Sequence, residues 1–163
     1  MGGISKHGTG DLSGYTFLNQ VDIKFEKFFL SPGIQFTNNS KTYILSSGLQ
    51  LNFVTEGVNV FTNINYLILN KTRHRIAIGA GLVLRFVSSS YSLEFGINVN
   101  ANNEQELLLK NDQLRSVSVE YNVTPSYYYQ INTRLFLGAK YIFQNDTKGD
   151  VISSAIAFIG VRL

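Results

Sequence analysis

No stretch of this chain approaches the 18 or more consecutive apolar residues that a membrane-spanning helix needs, so a helical membrane protein is excluded. Cysteine is absent, so nothing here depends on a disulfide. Charged residues make up only 15% of the sequence, against about a quarter in an ordinary soluble chain. There are two prolines in 163 residues, and the net charge of +3 is too mild and too scattered to indicate nucleic acid. The opening MGGISKHGTGDLSG has no apolar core of a signal peptide. An exported protein would then have lost its leader, and a signal peptide removed from this chain is the expectation.

What is present is alternation. From Tyr127 to Phe143, odd positions read Tyr127, Tyr129, Ile131, Thr133, Leu135, Leu137, Ala139, Tyr141 and Phe143, while even positions carry Gln130, Asn132, Arg134, Gly138 and Lys140. A period of two is the signature of a strand. One strand through all of these residues, tilted by about 40°, would cross about 30 Å, close to the thickness of a hydrocarbon core. The same pattern recurs in Ile76–Phe86, Tyr91–Val99 and Val117–Val123, and no residue on the apolar face of these stretches is charged. A Lys or Arg facing lipid at mid-bilayer costs about 2–4 kcal/mol, which would account for that exclusion.

The pattern predicts an all-β fold: a closed antiparallel up-and-down transmembrane β-barrel. It has eight strands if 17–37 is one bulged strand, and more if Pro32 marks a turn. Residues 1–14 read as a flexible N-terminal segment and 15–163 as the barrel. Turns are expected at Asn38–Lys41, Thr55–Gly57, Asn70–Arg73, Ser88–Ser90, Thr124–Pro125 and 145–150, with a longer polar loop at 100–113. That loop carries Leu107–Leu109, and it is either a surface partner's contact or an extension of the next strand above the bilayer.

The faces assign two sets of residues. Asp22, Lys24, Glu26, Arg85, Glu94, Glu120, Arg134, Lys140 and Arg162 face the lumen. There they form either a plug of paired ions, as a narrow eight-stranded interior favours, or a narrow ion path or gated switch. Tyr66, Phe86, Tyr91, Tyr121, Tyr127, Tyr129, Tyr141 and Phe143 form an aromatic girdle at the wet–dry boundaries.

Catalysis finds little support. Glu94 and Glu120 could mimic an acid–base pair, but Arg85 and Arg134 make ion pairing the simpler reading. His7 and His74 are isolated, although Ser40 or Ser88 could approach His74. Gly79-Ala80-Gly81 is an incomplete dinucleotide fingerprint and reads better as small inward residues. No metal or cofactor spacing is present, so none of these is expected and the chain is not read as an enzyme.

The run Phe61-Thr62-Asn63-Ile64-Asn65-Tyr66-Leu67, followed by Asn70-Lys71-Thr72-Arg73-His74-Arg75 and Ile76-Ala77-Ile78-Gly79-Ala80-Gly81-Leu82, resembles small outer-membrane β-barrel proteins of Bacteroidetes. Lys24-Phe25-Glu26-Lys27 is similar to their aromatic-Glu-basic motif. The chain departs from that pattern at Ala77, where Glu is frequent, and at Leu163, where an aromatic is usual. The resemblance implies an OmpA/OmpX-like eight-stranded barrel in the outer membrane of a Gram-negative cell. The bilayer would be its principal partner, with a monomeric state and a structural or surface-interaction role. The alternative is a soluble small-molecule-binding barrel of the lipocalin or avidin kind, with apolar side chains inward and charges outward.

Overall fold

A computed structural model describes residues 1–8, 12–44, 50–99, 105–146 and 151–162, the side chains of 50, 91–99, 105–112 and 146 excepted. Nine strands follow in order: β1 (Gly2–His7), β2 (Leu12–Gln20), β3 (Ile23–Phe25), β4 (Phe28–Ile44), β5 (Gln50–Asn70), β6 (His74–Val99), β7 (Gln105–Gln130), β8 (Leu135–Asp146) and β9 (Val151–Val161). Every neighbouring pair is antiparallel. β1 pairs with both β2 and β9, and β2 pairs with β4, so eight strands close into a barrel. β3 is the ninth and continues β2 along the same edge of β4 in unbroken register, Gln20 with Gly33 and then Ile23 with Leu30, so 17–37 is two antiparallel limbs turned at 26–27 rather than one bulged strand.

Several expected boundaries are corrected. Gly2–His7 is a wall strand rather than part of a loose lead-in, and without it the barrel would not close. Tyr127–Phe143 is two strands: β7 ends at Gln130, β8 begins at Leu135, and 131–134 turn between them. Alternation survives the turn because facing residues in an antiparallel pair share a side. Gln130 faces Phe136 and Tyr129 faces Leu137, so odd positions stay outside on both strands.

Neither proline makes a turn. Pro32 lies inside β4, and its carbonyl accepts from Val21 N at 3.1 Å, just past the last β2–β4 pair, Gln20 with Gly33. Its missing N–H therefore faces the end of β2, and the β5 ladder loses no donor. Pro125 lies inside β7, where pairing with β8 skips 124–125 and resumes at Ser126.

Four polar tracts expected to be turns, or part of the 100–113 loop, also lie within strands. Asn38–Lys41 belongs to β4, Thr55–Gly57 to β5, Ser88–Ser90 to β6, and Gln105–Gln113 to β7. β6 and β7 pair out to Val99 with Gln105, so the 100–113 loop contracts to a hairpin connection at 100–104, outside the described residues.

The connections at 26–27, 71–73 and 131–134 are short and share one end of the barrel with both termini. Opposite them β5, β6 and β7 reach furthest. The turn at 71–73 is thus on the short-turn side.

Candidate functional site

The wall's outer face has a measurable band. On β5 the outward residues from Val58 to Ile68 are Val58, Val60, Thr62, Ile64, Tyr66 and Ile68. On β6 they run from Ile76 to Phe86, and on β7 from Val117 to Tyr127. Each set covers ten steps, about 25 Å tall at a rise of ~3.3 Å and a tilt of ~40°, which matches the apolar band of a membrane barrel. None of these residues is charged.

The band ends in register. Phe36, Val58, Phe86 and Val117 lie abreast on β4 to β7. One outward position further on, Asn38, Glu56, Ser88 and Arg115 lie abreast, and Asn38 Nδ2 donates to Glu56 Oε1 at 3.1 Å. Beyond this row polar contacts continue, with Thr42 Oγ1 donating to Asn52 Oδ1 at 2.7 Å. Asn38–Lys41, Thr55–Gly57 and Ser88–Ser90 therefore begin at one rim, where four strands leave the apolar zone at the same height.

Inside, side chains fill the bore in tiers. Towards the long-strand end, below the buried Ser5–Asn39 contact, a hydrogen-bonded chain crosses it. Gln35 Nε2 donates to Thr16 Oγ1 at 3.0 Å and to Ser154 Oγ at 3.3 Å. Asn59 Nδ2 donates to Gln35 Oε1 at 3.2 Å and to Gln144 Oε1 at 3.4 Å. Gln144 Nε2 donates to Glu120 Oε2, and Ser118 Oγ donates to Glu120 Oε1 at 2.7 Å. Arg85 completes the chain, its Nη1 lying 3.5 Å from Glu120 Oε1. Arg85 faces Ser118 across the β6–β7 ladder and Glu120 is two residues on, a diagonal that long side chains can span.

Next comes an apolar plate of Leu18, Phe61, Val83, Ile142 and Ile156. A second polar tier follows. Lys140 Nζ donates to Gln20 Oε1, and Gln20 Nε2 donates to Asp22. Ser31 Oγ donates to Asp22 Oδ1 at 2.7 Å, and Asn65 Nδ2 donates to Ser31 Oγ at 2.8 Å. Gly79 and Gly81 give the asparagines room: a Cβ on Gly79 would come within 2.0 Å of Asn65 Oδ1, and one on Gly81 within 2.2 Å of Asn63 Oδ1. A second plate of Phe29, Leu67, Ala77, Tyr128 and Phe158, with Phe136 against it, closes the short-turn side.

The expected lumen set divides. Arg85, Glu120 and Lys140 are buried inside, and Asp22, itself exposed, reaches the second tier through Gln20 and Ser31. Lys24, Glu26, Arg134 and Arg162 are exposed at the short-turn end, in β3, its turn, the 131–134 turn and the residue after β9. Alternation continued through the turns gives these four the inward parity although they lie beyond the wall. Glu94's side chain lies outside the described residues. Its backbone pairs with Lys110, whereas Glu120 pairs with Val83, eleven residues and roughly 35 Å along β6. The two carboxylates cannot form a site. The apolar plates were not expected, although Phe61, Val83, Tyr128, Phe136 and Ile142 already stood on the inward parity.

Of the expected girdle, Tyr66, Phe86, Tyr121, Tyr127, Tyr141 and Phe143 face outward, Tyr129 is half-buried, and Tyr91's side chain lies outside the described residues. Tyr66 packs on Phe28, with ring centroids 5.1 Å apart. His74 sits 5.3 Å from the Tyr129 ring, and its Nδ1 is hydrogen-bonded to Tyr127 OH at 2.8 Å. Tyr121, abreast of Leu82 within the band, accepts at its OH from Asn145 Nδ2 at 2.9 Å. His74 starts β6, whereas Ser88 and Ser40 lie on the far rim, so no Ser–His pair forms between them.

No family model and no curated protein sequence matches the chain. Solved structures do. Neisserial surface protein A is 12% identical with a TM-score of 0.64, over 99% of this chain and 93% of that one. Ail, the attachment invasion locus protein of Yersinia pestis, is 9% identical with a TM-score of 0.57, over 99% and 95%. The same protein in complex with the heparin analogue sucrose octasulfate gives 9% and 0.53. The fold is that of the small outer-membrane barrels. At such identities the likeness carries the architecture alone.

Proposed function

We propose that this chain is an integral outer-membrane barrel with a closed lumen that holds the β6–β7 hairpin out from the bilayer to meet a partner at the cell surface. The observation that carries this reading is the uncharged outer band ending in a straight polar row at Asn38, Glu56, Ser88 and Arg115. Above that row β6 continues for eleven residues to Val99, roughly 35 Å along the strand. Short turns on the periplasmic side and long excursions outside are the usual polarity of such barrels. The neighbours' names, a surface protein and an attachment protein, agree with an adhesive duty. The proposed role is non-catalytic: the inward carboxylates and bases hold the wall strands together, and His74 belongs to the aromatic girdle. The protein is proposed to act as a monomer.

The lipocalin-like alternative needs apolar residues converging inside, yet Leu84, Val60 and Val119 point outward and Gln35, Asn59 and Glu120 point inward. Extraction separates the two readings. The membrane reading expects the protein to require detergent, to give a β-type circular dichroism spectrum, and to shift in gel mobility on boiling. A chain that stays soluble without detergent, with no mobility shift, would refute it.

A further inference from the structure

At the short-turn end the barrel opens into a cavity of about 790 Å³. That is within the size range of small-molecule sites, ~300–1,000 Å³. Phe29, Tyr128 and Phe136 form its aromatic floor, and Lys24, Arg75, Arg134 and Arg162 stand around it. Asp22 also lines it, but its carboxylate is already engaged by Gln20 and Ser31. Among the described residues Arg75, Arg134 and Arg162 have no ion-pair partner. Arg75 gives one nitrogen, Nη2, to Gln130 Oε1 at 3.0 Å, while its Nε is buried without an acceptor. The Tyr128 hydroxyl, in a residue only 8% exposed, has Ser126 beside it but makes no hydrogen bond of full geometry.

Four like charges gathered around a single carboxylate, Asp22, are unfavourable, and a buried hydroxyl or N–H without a partner costs free energy as well. One occupant would relieve all three defects. We propose that this mouth binds a small organic anion, with a carboxylate or phosphate group held by Arg75, Arg134 and Arg162 and a ring or apolar body resting on Phe29, Tyr128 and Phe136. The guanidinium fork suits such groups, which it can bind through two parallel hydrogen bonds. The Tyr128 hydroxyl supplies a further donor from the floor.

The test uses the full chain refolded in an uncharged detergent and titrated by NMR with phenyl phosphate, inorganic phosphate and benzyl alcohol. Phenyl phosphate is expected to saturate and to bind more tightly than either of the others. The R75Q/R162Q variant should bind it at least about tenfold more weakly. Arg134→Gln, in an exposed turn, and Tyr128→Phe should each weaken it several-fold while keeping the gel mobility of the folded barrel. Repeating the titration in phosphatidylcholine nanodiscs with and without phosphatidylglycerol identifies the source. Competition by phosphatidylglycerol points to a lipid headgroup and its absence to a free solute, and the site stands in both cases. The absence of saturable binding would overturn the proposal, and so would binding that Arg134→Gln and Tyr128→Phe leave unchanged.

Discussion

Arg85 and Glu120 meet inside the barrel, Nη1 to Oε1 at 3.5 Å, with both side chains about 1% exposed. Ser118 and Gln144 satisfy Glu120 from its other sides. Removing one partner of such a buried pair leaves an uncompensated charge, at a cost of about 3–5 kcal/mol, whereas exchanging both for apolar residues of similar size is often neutral or better. Glu120→Ala should therefore lower the urea midpoint of unfolding in detergent markedly. Arg85→Met combined with Glu120→Leu should recover most of the loss.

The outer band can be probed by depth. Leu82 lies mid-band on β6 and is 68% exposed, although it is a large apolar residue. Leu82→Arg should destabilise the barrel in bilayers by about 2–4 kcal/mol, whereas Ser88→Arg, on the rim, should cost about 0–1 kcal/mol. Equilibrium folding into vesicles, followed by gel mobility, measures both.

The apolar plates bear on conduction. Phe61, Val83 and Ile142 close the bore on one level, and Phe29, Tyr128 and Phe158 close it on another. No steady single-channel conductance is expected in planar bilayers. Phe61→Ala would remove the largest side chain of the first plate, at a cost of about 3–5 kcal/mol in stability, and leakage should appear first in that variant.

One side chain reinforces the backbone hydrogen bonds of the 131–134 turn. Asn132 Oδ1 accepts from Arg134 N at 2.9 Å and from Leu135 N at 2.7 Å, so the carboxamide takes up two backbone donors. Asn132→Ala should cost about 1 kcal/mol, and Asn132→Asp, which keeps both acceptors, should cost little. Chemical unfolding of the two variants side by side checks this.

Direction was legible in the sequence and height was not. Which residues look outward on β5 to β8 follows from parity, and parity persists because pairs such as Tyr129 with Leu137 keep odd numbers together across a turn. For the same reason the turn at Asn132 was invisible to periodicity. Outward polar residues carry two meanings, a turn or an exit from the apolar zone. Ser88–Ser90, Thr55–Gly57 and Asn38–Lys41 had the second. Only the strand register, which aligns Asn38, Glu56, Ser88 and Arg115, distinguishes them. The inward plates share their parity with Arg85, Glu120 and Lys140, so alternation alone does not separate them from the polar tiers. The basic mouth is assembled from Lys24, Arg75, Arg134 and Arg162, whose distance along the chain hides their proximity.

The account turns on which face of the wall meets lipid, and the absence of cysteine makes that directly measurable. Single cysteines placed in turn from 58 to 68 on β5, each carrying a fluorophore, would be read in nanodiscs against a quencher confined to the acyl chains. Strong quenching at 58, 60, 62, 64, 66 and 68, with weak quenching at the odd positions between them, is the predicted result. Quenching at 59, 61, 63, 65 and 67 instead, or with no alternation, would contradict it.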